Sequence, residues 1–250
     1  MLFDPLIFVE ALFSEALLTG ALITIVLSVV VQMAALVLCL PVALGLSARR
    51  RYRWPLKTYL WIFRSTPLVL VLLFVWNGLP QLLPALRSDW FSPFLAAAIA
   101  MTLVGIAYNA EIMRAALSSV PKGQAEAAAA LGLGRGKAFF LVILPQAFRF
   151  ALPPLMNEFI SLLKSTSLAY TISLRELMTV TQLSISASFR FTEWYAAALV
   201  YYLLMVSALT LIQAVVERRM AAAYARRPDG AKAVSGRPRT AMPVIPTTSG

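Results

Sequence analysis

Apolar residues in this chain fall in long charge-free blocks, not in the short alternating runs of half-buried strands. Ala16–Ala48, Ser65–Leu86, Trp90–Ala110 and Trp194–Val216 contain no Asp, Glu, Lys or Arg. Each is long enough to cross a bilayer, which takes about 20 apolar residues per helix. A fifth block at 155–174 is less apolar, being interrupted by Glu158 and Lys164 and preceded by "LPPL". The flanking charges settle its status. The segment "RRRYRWPLK" after the first block holds Arg49, Arg50, Arg51, Arg53 and Lys57, whereas the next connection, near "LRSDW", holds only Arg87. Basic loops stay in the cytoplasm, so the first loop is inside and the N-terminus outside. With four crossings the basic C-terminal segment, from Arg218 to Arg239, would fall outside, and a crossing at 155–174 returns it to the cytoplasm. The pattern therefore predicts an all-α polytopic membrane protein. Its five transmembrane helices lie at about 18–47, 60–84, 92–114, 155–174 and 194–216 within residues 1–220, N-terminus out and C-terminus in. Residues 221–250, rich in Pro, Gly and Arg, read as a disordered basic cytoplasmic tail.

Composition agrees: 60% hydrophobic and 13% charged residues, with a mean hydropathy of +0.78, lie far from soluble averages. The net charge of +11 comes from short basic runs between apolar blocks, which are topology signals and not a nucleic-acid face. With no histidine the chain has no imidazole metal site, His-based triad or His proton relay, and the single Cys39 excludes a disulfide framework within the chain. Cys39, inside "LVLCLPVAL", reads as a small buried residue. The start, "MLFDPLIFVEALFSE", lacks the basic region of a cleaved signal peptide, so the first apolar segment is expected to stay. No catalytic or metal-binding constellation is found.

Between the third and fourth spans lies "ALGLGRGKA" (130–138), which resembles a phosphate loop only superficially. Leu131 stands where a P-loop needs its first Gly, and Ala138 where it needs Ser or Thr for magnesium. Lys137 occupies the third Gly of a dinucleotide fingerprint, and a helix, not a strand, precedes it. The surrounding segment, 119–145, reads instead as two short helices lying across the membrane surface. Ser119 is a candidate cap, Pro121 suits a first turn, Gly132 suits a left-handed end, and the second helix runs to about Pro145. The small side chains of Ala127–Ala130 let another backbone come close; a plain interfacial connector is the alternative.

The same residues resemble a known family. "EAAAALG" followed after nine residues by "VILP" is similar to the EAA loop of the membrane subunits of bacterial ABC importers, with Val142 in place of the usual Ile. "FRSTP", "AYNAEIMRAAL", "GQAEAAAALG", "LPQAFR" and "LLKSTSL" resemble the ordered motifs of its polar amino acid branch, with Ser65 where Gly is common. The resemblance implies a type I ABC importer permease fold. It also implies that 119–145 forms the coupling helices docked in a cleft of a separate ATPase subunit: Glu126 the polar anchor, Ala127 and Ala128 the close-approach surface, Gly132 the turn and Pro145 the end of the motif. The chain itself would bind no cofactor; ATP and Mg would sit on the partner ATPase. Further partners implied are a second permease subunit, identical or homologous, a second ATPase, and an extracytoplasmic amino acid-binding protein.

A zwitterion crossing lipid needs acceptors for its ammonium and donors for its carboxylate. The fourth span is polar along one face, with Asn157, Glu158, Ser161, Lys164, Ser165 and Thr171 at three- and four-residue spacing and Thr166 beside them. Tyr108 and Asn109, deep in the third span, join Glu158, Ser161, Lys164, Ser165 and Thr166 as candidate pathway residues. Glu111 and Arg114, three apart, read as a pair with each other. Arg64 reads as snorkelling to the cytoplasmic surface and Pro67 as kinking the second span. Rival readings are a self-contained secondary transporter or channel, a membrane enzyme, and a structural membrane partner. The first lacks a visible inverted repeat, the second lacks clustered catalytic acids, and the third predicts that Lys164 is dispensable for transport. None accounts for the EAA loop.

Overall fold

The computed structural model describes residues 3–47 and 50–225, and every regular element among them is helical. Asp4 caps α1 (Pro5–Leu12), its carboxylate accepting the Leu6 N–H at 3.0 Å. This short helix docks on the last one: Tyr201 Oη donates to the Leu12 carbonyl at 2.7 Å, and the Asp4 N–H donates to Glu193 Oε1 at 3.0 Å. The first span, α2 (Glu15–Ser47), passes through Pro41 without ending.

The second span, expected at 60–84 with a kink at Pro67, is broken there more sharply than a kink. The amphipathic α3 (Arg50–Ser65) stops at Pro67, and the chain turns through 105° into α4 (Leu68–Leu73). α4 continues through a π turn at Phe74–Gly78 into α5 (Leu79–Leu82). Proline supplies no N–H and its ring crowds the preceding turn, which is the physical reason for the break. The first turns of the expected span thus belong to a helix nearly perpendicular to the rest of it.

The third span, α6 (Pro93–Ser119), starts where Ser92 Oγ accepts the Leu95 N–H at 3.3 Å. It runs further than expected: Ser119 lies in its last turn with Oγ donating to the Ala115 carbonyl, and does not cap the next helix. After α7 (Lys122–Ala130) comes the largest departure. α8 (Arg135–Ala138) passes through a π turn at Phe139–Ile143 into α9 (Leu144–Ser165) and a closing 3₁₀ stretch, Thr166–Ile172. The expected second coupling helix and the expected fourth span at 155–174 are one helical run, Arg135–Ile172. The widened π turn, closed by Leu144 N–H on the Phe139 carbonyl, comes just before Pro145 and absorbs it without ending the helix. A further helix, α10 (Leu177–Ser188), lies between the fourth and last spans, and α11 (Phe191–Ala225) forms the last span. Residues 221–225 of the expected disordered tail are therefore helical; 226–250 and Arg49 lie outside the described residues.

Four helices among the described residues are long and apolar enough to cross a membrane, and the bent α3–α5 pair makes up to five. α2 packs along α6, and α6 along α9. The α2–α6 contact is close because its residues are small: a Cβ on Gly105 would lie 3.2 Å from Ala35 Cβ. Buried Leu27, Val31, Leu72, Met101 and Ile172 form the main core, while Leu199, Leu203, Leu204 and Leu211 of α11 are exposed, as lipid-facing residues should be. α10 seats on α2, where Thr24 Oγ1 accepts the Leu177 N–H at 3.2 Å.

Candidate functional site

Two features merit a site: a cavity beside the Pro67 break and an exposed turn after α7. The cavity, about 310 Å³, lies where the break separates α3 from α4 and where Gly105 leaves room on α6. Irregular backbone at membrane depth is tolerated where it lines such a space. Thr66 from the break, Tyr108 from α6, and Glu158, Ser161 and Ser165 from α9 put polar atoms into it, against Met101, Val104 and Leu162. Among the described residues Glu158 has no ion-pair partner, so its carboxylate is available to a ligand cation. Tyr108 also lines a second, wider hollow of about 820 Å³, with Arg53, Lys57, Arg64, Glu111 and Arg114 around it. There Arg114 Nε donates to Glu111 Oε2 at 3.3 Å, the pairing expected from their spacing, and the Arg64 guanidinium lies 5.6 Å from the Tyr108 ring centre.

Not every expected pathway residue reaches the cavity. Asn109 is fully buried, without a hydrogen-bond partner for its amide among the described residues. Thr166 is fully buried too, its hydroxyl donating to the Leu163 carbonyl at 2.7 Å. A neighbour along the helix of a lining residue turns about 100° away from it, which explains both. Lys164 is exposed, on the same α9 face as Ser161 but outside the cavity wall.

The turn is built by backbone geometry. α7 closes with Gly132 N–H on the Ala129 carbonyl at 2.9 Å and Leu133 N–H on the Ala128 carbonyl at 3.0 Å, the paired bonds of a Schellman ending. That ending needs a left-handed residue, and Gly132 has φ +75°. Glu126 and Ala127 are exposed, whereas Ala128 is 3% exposed, so one alanine faces out and the other packs inward against the π turn. Leu131, at 81% exposure, forms an apolar tip, and Pro145 is exposed further along. Gln146 Nε2 donates both to Gln124 Oε1 at 3.0 Å and to the Val142 carbonyl at 2.9 Å, pinning α7 to the long helix. The pin escaped the sequence reading, although both glutamines sit in the quoted motifs "GQAEAAAALG" and "LPQAFR".

A sequence profile described as "Binding-protein-dependent transport system inner membrane component" matches residues 35–222, which include both the cavity and the turn. The chain belongs to this family. The permease is 42% identical over 170 residues to the probable amino-acid ABC transporter permease protein PatM of Vibrio harveyi, covering 68% of this chain and 75% of that one. It is 38% identical to the arginine transport system permease protein ArtQ of Bacillus subtilis (strain 168), covering 78% and 88%. Among solved structures, an amino acid ABC transporter crystallised with histidines superposes with a TM-score of 0.77 at 30% identity over 88% of this chain and all of that one. The methionine ABC transporter MetNI in an inward-facing form shares the fold at 19% identity, TM-score 0.70, over 83% of this chain and 99% of that one. The chain is thus a multi-pass inner-membrane permease subunit of an ABC importer, not an enzyme, and works with an ATPase and a binding protein.

A second residue missed by the sequence reading is Glu176, at the outer side of the expected topology. It caps α10, with Oε1 accepting the Thr179 N–H at 2.8 Å and Oε2 the Met178 N–H at 2.9 Å. Burial pushes its carboxyl up to about 7 even though these bonds favour the charged form. The sequence carried no N-cap signal for it, because caps are ordinarily Ser, Thr, Asp or Asn and the capping box runs Ser/Thr-x-x-Glu, the reverse of the order Glu176 to Thr179.

Proposed function

We propose that the permease carries a polar amino acid through the cavity beside the Pro67 break. The observation that carries this is Glu158, a carboxylate with no ion-pair partner among the described residues, set among hydroxyls in a space of about 310 Å³. That volume holds one amino acid. The α-ammonium, or a cationic side chain, sits against Glu158; Thr66, Ser161, Ser165 and Tyr108 share the remaining polar atoms. Lys164, on the Ser161 face nearer the outer end of α9, meets the substrate carboxylate before it enters. Asn109 and Thr166 leave the proposal because both are buried away from the space. Release passes Tyr108 into the wider hollow. The amino-acid names of the relatives support the substrate class.

The working unit in this reading pairs the chain with a second permease, identical or homologous, on two ATPase subunits that bind ATP and Mg. An extracytoplasmic amino acid-binding protein delivers the substrate. The basic segment around α3 argues for a cytoplasmic first loop, hence an outer N-terminus and an inner C-terminus. Glu126, Ala127, Leu131 and Gly132 make the face offered to the ATPase, with Ala128 and Pro145 holding its shape.

The test is uptake of a panel of labelled amino acids by the purified complex in proteoliposomes. Glu158→Gln is expected to raise the half-saturating concentration about 10-fold or more by removing a charge-assisted contact, with binding to the isolated solute-binding protein unchanged. Unaltered uptake by both Glu158→Gln and Glu158→Ala sinks the proposal.

A further inference from the structure

α3 carries, along the rim of the hollow through which release is proposed, an aromatic feature that substrate passage does not require. Trp54, Lys57, Thr58 and Trp61 recur at three- and four-residue spacing and wall a hollow of about 460 Å³. The two indoles are 71% and 69% exposed, far more than a packed core allows. Lys57 and Trp61 belong at the same time to the wall of the wide cationic hollow, so the two spaces meet along one rim. At that rim Arg53 and Lys57 make no ion pair among the described residues, whereas Arg114 is taken by Glu111 and Arg64 lies over Tyr108.

An apolar, aromatic groove joined end-on to free cations is complementary to one chemical class, an amphiphile with an anionic head. We propose that α3 binds an anionic phospholipid, its phosphate at Arg53 and Lys57 and its upper acyl chain along Trp54 and Trp61. The amphipathic helix supplies the setting, because it runs nearly crosswise to α4 and α5 at the break and so lies along a membrane surface once those two enter the bilayer. Indole rings favour the headgroup level, and cations near the surface attract anionic headgroups. Neutral lipid fits the groove and leaves the cations unanswered; a soluble anion answers the cations and leaves the indoles exposed. The site requires only that α3 lies at an interface, not that the cavity accepts an amino acid.

The experiment uses the assembled complex in nanodiscs, with tryptophan emission quenched by brominated phosphatidylglycerol or by brominated phosphatidylcholine. Wild type should be quenched at a lower mole fraction of the anionic lipid. Neutralising Arg53→Gln or Lys57→Gln should weaken that preference about 5-fold each, and the double variant roughly 30-fold. Trp54→Phe with Trp61→Phe should remove the lipid-selective part of the signal, which guards against a cation variant that simply misfolds. Equal quenching of wild type by both lipids, or a preference that survives the double cation variant, overturns the proposal. So does the absence of quenching from Trp54 and Trp61, which would mean that protein covers this face.

Discussion

Replacing Gly132 tests the coupling turn through its backbone alone. A Cβ at this position meets nothing within 4 Å, so alanine introduces no clash within the chain, yet it must adopt φ +75°. Holding an L-residue with a side chain in the left-handed region costs about 1–2 kcal/mol, which lowers the population of the closed turn roughly 5- to 30-fold. Gly134 is the internal control, since it too has open space around its Cα but φ −61°, where alanine is unstrained. The assay is amino acid-stimulated ATP hydrolysis by the reconstituted complex, with membrane insertion checked by protein yield. Gly132→Ala should lose most stimulation and Gly134→Ala little. Asparagine tolerates the left-handed region better than alanine, so Gly132→Asn should fall between Gly and Ala. Gly132→Asp, which adds a charge at the joint, should abolish transport while leaving the protein in the membrane. An asparagine variant worse than alanine would show that bulk against the ATPase, not backbone strain, sets the requirement. Full activity of Gly132→Ala would refute the turn argument altogether.

Other expectations follow from the same geometry. Gln146→Ala removes the pin to Gln124 and, at about 1 kcal/mol for a net hydrogen bond, should reduce transport per ATP hydrolysed by up to about 5-fold in proteoliposomes. Gly20→Val drives a side chain into the α2–α10 contact, where even a Cβ lies 2.6 Å from Val180 Cγ2 and 3.0 Å from the Leu177 Cα. The thermal midpoint in detergent should fall, while Gly123→Val, in open space, should not share the loss. Glu176 has a folded pKa raised from 4.5 to about 7, so its stabilising share is complete below pH 4.5 and is lost as pH rises towards 7. Thermal inactivation measured across that window should show a loss of order 3 kcal/mol, and Glu176→Gln should flatten the dependence; a wild-type profile flat from pH 4.5 to 7 counts against it.

Charge-free length was enough to find α2, α6 and α11, because burial in lipid leaves no other composition open to them. Positive-inside parity found the polar fourth span, whose Glu158 and Lys164 defeat hydropathy alone. The same rules could not see that this span begins at Arg135, because the run from Arg135 to Arg149 is too basic to be read as membrane and Pro145 reads as a stop. The π turn that reconciles the proline with a continuous helix leaves no mark in composition. Periodicity placed Glu158, Ser161 and Ser165 on one face correctly, but adjacency is a poor guide: Asn109 beside Tyr108, and Thr166 beside Ser165, point into packed interior. Gly132 was legible because only a left-handed ending calls for glycine there, whereas Gln146 was not, since a tie between two separated glutamines exists only once the chain has folded.

The single helical run from the coupling turn to the far end of the fourth span has a mechanical consequence. Its 38 residues, at about 1.5 Å each, make a rod of roughly 57 Å. Glu158 sits about 35 Å along it from Arg135, so a rigid tilt of about 10° at that end sweeps the carboxylate sideways by about 6 Å, comparable to the width of an amino acid. In the proposed reading the cargo contact lies on this rod, and the ATPase face lies just ahead of it, across the turn at 131–134 and tied to the rod by the Gln146–Gln124 hydrogen bond. The shaft is irregular at the π turn at Phe139–Ile143, at Pro153 and Pro154, and in the closing 3₁₀ stretch; the π turn is nearest the driven end, where angular slack is multiplied over the longest arm and takes the most from the travel of Glu158. Stiffening that turn is expected to raise the share of a tilt that reaches Glu158, and loosening it to lower that share, without a change at either proposed contact.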